Sequence, residues 1–194
     1  MTRTAGGTRL RVLVACEYSG TVRDAFIRAG HDAVSCDILP TESPGPHIQD
    51  DVLNHLHDGW DMMIAHPPCT YLSYAGVRWF KKDASRWDRA LEGFYFFMQM
   101  IEAPIPMIAV ENPCGYTWQW HKRPDQIVEP YWFGHDVTKA TGLWLKNLPP
   151  LMATMVHNDP FVNWTKYKGS HTGKQRSKFW TGIADAMANQ WGLS

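Results

Sequence analysis

The sequence lacks any run near the roughly 20 apolar residues that a membrane-spanning helix needs. Its longest uncharged apolar stretches lie between Arg11 and Glu17 and from Ile105 to Val110, so no membrane partner is expected. No apolar signal core follows Met1 to Gly7, which implies no export and a cytoplasmic protein. Net charge is absent too: 19 Lys plus Arg balance 19 Asp plus Glu, so any contact with a polyanion must come from a local patch. There is no C-x-x-C pair, since Cys16, Cys36, Cys69 and Cys114 lie 20, 33 and 45 positions apart. That disfavours a zinc knuckle, and with no H-x-E and P-C-x-x-C it also argues against the zinc deaminases. Repeats and low-complexity segments are missing, and 194 residues with 44% hydrophobic content suit one domain with a real core.

The pattern that is present alternates strands and helices. Leu10 to Ala15 reads as a strand, Tyr18-Ser19-Gly20 as a turn, and Val22, Ala25, Phe26 and Ala29 fall at helical spacing before Gly30. Asp32 to Cys36 reads as a second strand ending at Asp37. A Pro- and Gly-rich loop runs from Leu39 to His47, a short helix covers Val52 to Leu56, and a third strand covers Met62 to Ala65. Ala84 to Ala103 is a long helix whose Trp87, Leu91, Phe94, Tyr95, Met98 and Ile101 are expected in the core. Met107 to Val110 forms a fourth strand. Further on come a short helix at Asp125 to Val128, a strand near Gly142 to Leu145, a loop from Asn147 to Lys174 and a final helix from Lys178 to Trp191. The alternation predicts an α/β protein with a mostly parallel sheet flanked by helices.

In such sheets ligands bind beyond the carboxyl ends of the strands. The ends here are Cys16 to Gly20, Asp37, the loop from His66 to Ser73, and Glu111 to Gly115. An acid after the second strand can accept hydrogen bonds from ribose hydroxyls, although strand-end Asp is often only a turn residue. Pro67-Pro68-Cys69 puts a thiol on a stiffened loop, which suits a nucleophile; alternatively, Cys69 is a small buried hydrophobe. Glu111 follows four apolar residues and is the strand-end acid to pair with that thiol.

Val12-Leu13-Val14-Ala15-Cys16 leading to Gly20, then Asp37, Pro68-Cys69 and Glu111-Asn112-Pro113, resemble in order and spacing the motifs of the DNA (cytosine-5) methyltransferases. Trp132-Phe133-Gly134, Thr141 to Leu145 and Gly182 to Ala188 resemble the later parts of that domain. The resemblance implies a Rossmann-like S-adenosylmethionine-dependent methyltransferase fold spanning 1–194 as a single catalytic domain. Within it, 8–148 would be the cofactor and catalytic core, 149–174 a short DNA-contacting loop region and 175–194 a helix returning to the core. It implies S-adenosylmethionine held by Cys16, Glu17, Ser19, Gly20, Asp37, Ile38, Asp51, Val52 and Pro67. Cys69 would attack carbon 6 of a flipped cytosine while Glu111 hydrogen-bonds ring nitrogen 3 and the exocyclic amine. Pro68, Thr70, Asn112, Arg78, Lys81, Lys82, Lys174 and Arg176 would meet substrate or DNA, with Asn112 and Pro113 shaping the loop that presents Glu111. By analogy, such a small enzyme suits restriction-modification in a bacterium or its phage.

The chain also departs from the family. Glu17, Tyr18, Ser19 and Thr21 surround Gly20 in place of a glycine-rich loop, and Thr70 stands where Gln is common. No Q-x-R-x-R follows Gly115; Thr138, Lys139 and Thr141 lie near where it would fall. Met152 to Thr172 leaves 21 residues for target recognition, so specificity is expected to be relaxed or supplied by a partner subunit or a second copy. The same chemistry on a nucleotide or single-stranded DNA, and a non-catalytic cofactor- or DNA-binding module, are the alternatives. Two basic stretches could hold phosphate: Arg78, Lys81, Lys82, Arg86 and Arg89, and the segment from Lys166 to Lys178 with its interleaved aromatics. His66 is expected to shape its loop, and His55, His57 and Asp58 are not expected to bind metal.

Overall fold

The structure is a computed structural model that describes residues 8–74, 83, 85–155, 165–166 and 179–192. In chain order the elements are β1 (Arg11–Ala15), α1 (Thr21–Arg28), β2 (Asp32–Asp37), β3 (His47–Gln49), a 3-10 turn (Val52–His55) and β4 (Met62–Ala65). Then follow α2 (Ser85–Ile101), β5 (Met107–Pro113), α3 (Thr117–Trp120), β6 (Gln126–Val128), a second 3-10 turn (Pro130–Phe133), β7 (Val137–Thr138), β8 (Thr141–Lys146), β9 (Thr165–Lys166) and α4 (Thr181–Trp191). Seven strands form one sheet in the order β3-β2-β1-β4-β5-β8-β6, and β7 pairs with β9 separately. Every pair from β3 to β5 is parallel, and β8 runs antiparallel to both β5 and β6. This is the expected α/β, Rossmann-like, mostly parallel sheet. Its order reverses between β1 and β4, where such folds open a crevice. No helix among the described residues is long and apolar enough to cross a membrane.

The central strands read as continuous apolar runs because both faces are covered. Val12 and Val14 of β1, Met62 and Ile64 of β4 and Ala109 of β5 pack with Phe26 of α1 and with Ile183 and Met187 of α4. Leu13, Ala15, Met63, Ala65 and Val110 point the other way and pack with Phe97 and Met100 of α2.

The loop between β2 and β3 is rich in Pro and Gly and cannot make a ladder of its own, so it is fastened by a side chain. Arg23 of α1 is fully buried. Its guanidinium donates to Asp24, to the Ser35 and Thr41 hydroxyls and to the carbonyls of Ser43, Pro44 and Pro46. A planar five-donor group satisfies several carbonyls at once, which an ammonium does not.

Several expectations need correction. In α2 the buried residues are Ala90, Phe97 and Met100, while Trp87, Leu91 and Tyr95 are exposed. The helix is apolar on more than one side, and the small Ala90 lies on the side that meets the sheet. Asp125 to Val128 contains a strand, β6, because Gln126 to Val128 find an antiparallel partner in β8. β5 continues through Pro113, since β8 pairs with it as far as Thr141. β3 and β7 lie in stretches read as loop or left unassigned. Most of 149–174 lies outside the described residues.

Arg23→Lys should lower stability by about 2–3 kcal/mol, because carbonyls of the β2–β3 loop lose buried donors. In thermal unfolding this is a fall of about 2–4 °C per kcal/mol.

Candidate active site

The sheet register brings the strand ends to one level. Ala15 pairs with Cys36 on one side and with Ala65 on the other, and Ala65 pairs with Val110. The next residue on each strand is therefore Asp37, Cys16, His66 or Glu111, a row across the carboxyl edge. With neighbouring strands about 4.8 Å apart, the row is about 14 Å long. Cys16 leaves the strand with a left-handed φ of 58°. The chain then turns: Glu17 N–H donates to Cys36 O at 3.2 Å, and His66 N–H donates to Ala15 O at 3.0 Å.

At the first turn, Glu17 is buried and spends its carboxylate on α1. Oε1 accepts from Val22 N–H at 2.7 Å and from the Ser19 hydroxyl, and Oε2 accepts from Arg23 N–H at 3.1 Å. A carboxylate on the first N–H groups of a helix satisfies unpaired donors and complements the helix dipole. Gly20, with φ 76°, directly precedes that helix. Glu17 and Ser19 thus build the loop rather than leaving their polar atoms to a ligand.

The next two ends collect carboxylates. Asp37 Oδ1 accepts from Leu39 N–H, and Asp51 Oδ1 accepts from Leu53 N–H ahead of the 3-10 turn. These bonds fix the two side chains, and no hydrogen bond reaches Asp37 Oδ2 among the described residues. Burial raises the Cys16 thiol pKa far above its ordinary value, with further contributions from Asp37, Cys36 and Asp51, so these groups share one environment. Cys36 is pushed up to about 11 by burial and by Asp50, and Cys114 is raised by burial. All three remain thiols near neutral pH. Ile38 beside Asp37 is 72% exposed, and Val52 is buried in the core. His55 bridges Asp50 and Asp58.

The third and fourth ends are locked to each other. Asn112, buried in β5, donates from Nδ2 to Pro67 O at 2.9 Å. Leu72 and Ser73 N–H close a turn on Cys69 O, Tyr116 N–H donates to Leu72 O, and Ser73 bridges to Gly115. A Cβ at Gly115 would overlap the Leu72 carbonyl, so only glycine lets the two loops come this close. Pro67 is buried, Cys69 is half-buried, and Pro68 and Thr70 are exposed. Tyr71, two residues on, lies under Arg86 at 4.8 Å and accepts a hydrogen bond from Arg89.

Glu111 sits on the face covered by α1 and α4. Thr141 of β8 donates its hydroxyl to Oε1, and His66 Nδ1 lies 3.5 Å from Oε2. Burial opposes ionisation, but His66, Thr141 and Lys139 outweigh it and hold the Glu111 pKa below its ordinary value. His66 and Thr141 were not among the predicted site residues. The H-P-P-C run placed His66 next to the thiol, and nothing in the sequence signalled that β8 would come back antiparallel to β5.

The structure therefore gathers Cys16, Asp37, Ile38, Asp51, Pro67, Pro68, Cys69, Thr70, Glu111 and Asn112 along one edge. Arg78, Lys81, Lys82, Lys174 and Arg176 lie outside the described residues. No protein-family model matches the sequence, and no curated protein sequence matches it. Among solved structures the chain is similar to a methyltransferase of S. pombe, Dnmt2, at 14% identity and a TM-score of 0.49. That similarity covers 80% of this chain and 57% of the other. The fold assignment here rests on the strand order itself.

Two outcomes follow. Glu17→Gln puts an amide where one oxygen accepts, costing about 1–2 kcal/mol in chemical denaturation. Because the folded-state pKa of Glu111 is lowered, its contribution to stability is complete above the ordinary carboxylate value and lost as pH falls through the folded value. Glu111→Gln should remove that part of the acid limb of a stability-against-pH curve.

Proposed function

We propose that the chain is an S-adenosylmethionine-dependent methyltransferase that acts on carbon 5 of cytosine in DNA, with Cys69 as nucleophile and Glu111 as its partner. The observation that carries this reading is the clamp between the β4 and β5 exits. Asn112 on Pro67 and Gly115 against Leu72 hold a thiol loop and a part-buried, doubly hydrogen-bonded carboxylate in fixed relation, next to strand ends suited to a nucleoside.

The cofactor half fits a nucleoside without phosphates. In dinucleotide-binding sheets the first helix offers its N-terminal amides to a pyrophosphate. Here Glu17 already occupies those of Val22 and Arg23 and would repel an anion. Asp37, fixed through one oxygen, has the other for a ribose hydroxyl, and the exposed Ile38 beside it offers apolar surface to a base. Asp51 and Pro67 would border the same ligand. When bound, S-adenosylmethionine supplies an electrophilic methyl group on a sulfonium.

Cys69, as a thiolate once its proton has passed to solvent, adds through its sulfur to carbon 6 of the cytosine ring, which makes carbon 5 nucleophilic. The negative charge that develops at ring nitrogen 3 is met by a hydrogen bond from Glu111 in its acid form, held by His66 and Thr141. After methyl transfer, a base takes the proton from carbon 5, and the sulfur leaves carbon 6 with the electrons of its bond. A stacked base hides carbon 6, so the cytosine is flipped from the helix. Pro68 and Thr70, exposed beside Cys69, border the flipped base, and Arg86 and Arg89 over Tyr71 offer charge to its phosphates. Arg78, Lys81, Lys82, Lys174 and Arg176 are further candidates for DNA contact, with recognition relaxed or supplied by a second subunit.

Incubation with labelled S-adenosylmethionine and duplex DNA, single-stranded DNA or cytidine nucleotide, followed by nucleoside mass spectrometry, checks the reading. 5-Methylcytosine is expected from DNA with the wild type, and none with Cys69→Ser. Methylation of the free nucleotide alone would move the assignment to a nucleotide substrate. Cofactor binding with no methylated product would overturn it.

A further inference from the structure

Glu111 needs a proton if it is to donate to a substrate ring, yet its surroundings favour the ionised form. His66 is placed to supply one. It follows β4 directly, its backbone N–H is tied to Ala15 O, and its ring packs on Phe179 at 4.6 Å between centroids, tilted by 49°. These contacts hold the ring at the Glu111 carboxylate, with Nδ1 3.5 Å from Oε2. The other nitrogen, Nε2, is buried and makes no hydrogen bond among the described residues. Thr141 donates to Oε1 and so leaves Oε2 for the histidine.

We propose that the His66–Glu111 pair carries one mobile proton, which Glu111 hands to ring nitrogen 3 of the substrate and His66 replaces. The proposal rests on the reading of Glu111 given above. When the pair holds that proton, it sits either on Nδ1 of an imidazolium or on Oε2 of a neutral carboxyl group, the two atoms lying 3.5 Å apart. Transfer of the Nδ1 proton to Oε2 leaves a neutral imidazole with its proton on Nε2 and a neutral carboxyl group. As Cys69 Sγ, a thiolate whose proton has gone to solvent, bonds to carbon 6, the carboxyl proton passes to nitrogen 3. When the sulfur leaves, nitrogen 3 returns that proton to Glu111, and the imidazolium re-forms. Charge and proton count close over the cycle.

The groups around the pair suit this role. Thr141 from β8 and Phe179 ahead of α4 are neutral, as are Pro67 and Asn112 between the loop and β5. Lys139, in the turn before β8, is the nearby cation; its backbone N–H is held by Glu129, whose own pKa is raised by burial. Lys139 favours the charged form of Glu111 and does not take over the proton. The histidine at the carboxylate comes from the neighbouring strand end.

His66→Gln tests the proposal, because the carboxamide keeps an N–H for Oε2 but has no proton to give. Methyl transfer should fall on the order of 10²-fold, with unchanged affinity for S-adenosylmethionine by calorimetry. In His66→Ala, added imidazole should restore part of the rate. Independently of turnover, the carboxyl ¹³C signal of Glu111 should titrate at higher pH in His66→Gln than in the wild type. Wild-type rates and an unchanged Glu111 titration in His66→Gln would overturn the proposal. If the wild type transfers no methyl group to any cytosine substrate, the functional reading fails and proton delivery with it; the Glu111 titration then tells whether the pair exists.

Discussion

The arrangement depends on one contact between neighbouring strands, the hydrogen bond from the buried Asn112 amide to the carbonyl of Pro67. A parallel sheet fixes the backbones of β4 and β5 but does not specify the loops beyond them. Pro67 has no N–H and stiffens its loop. Asn112 pins that loop's carbonyl to the adjacent strand, and Gly115 lets the Leu72 carbonyl approach the chain beyond β5. The thiol and the carboxylate thereby belong to one rigid unit, although 42 positions separate them in sequence. Under the proposed function the pair gains from such preorganisation, because little rearrangement would remain on substrate binding.

Electrostatics divide the row into two halves. Toward β2 the site is acidic, with Asp37, Asp50 and Asp51 around the raised thiols of Cys16 and Cys36. Glu17 extends that character to the start of α1, where dinucleotide-binding sheets present bare amides to phosphate. Toward β5 the carboxylate is balanced by His66, Thr141 and Lys139. The buried Arg23 serves neither half directly; it holds the β2–β3 loop, which begins at the acidic end, through hydroxyls and carbonyls.

Much of this was legible in the sequence, for physical reasons. β1 and β4 are uninterrupted apolar runs because both their faces are buried, so their ends, and Asp37 at the end of β2, are readable from sequence alone. Asn112 was expected to shape the loop that presents Glu111; Glu111 and Asn112 both lie within β5, and the Asn112 amide bonds the Pro67 carbonyl of the neighbouring loop. The antiparallel side of the sheet was less legible. Gln126 to Val128 is three residues long, and only its partner in β8 makes it a strand. For the same reason Glu111 was expected beyond its strand and lies within it. The stripe on α2 misled because Trp87, Leu91 and Tyr95 repeat with helical spacing on a side that faces away from the sheet. Glu17 could have been recognised as a capping carboxylate, since it precedes the helix by four residues beside Ser19 and Gly20. The pairing of His66 with Glu111 requires knowledge of which strands are neighbours, which no local pattern contains.

Covalent capture tests most directly the claim that Cys69 and the clamped carboxylate form a working pair. The protein would be incubated with S-adenosylmethionine and DNA carrying 5-fluorocytosine, whose fluorine cannot leave as a proton does, and the mixture analysed by mass spectrometry. The account predicts a stable adduct that maps to Cys69 and is absent from Cys69→Ser. Demonstrated cofactor binding with no adduct on duplex or single-stranded DNA, or an adduct on a different residue, would contradict it.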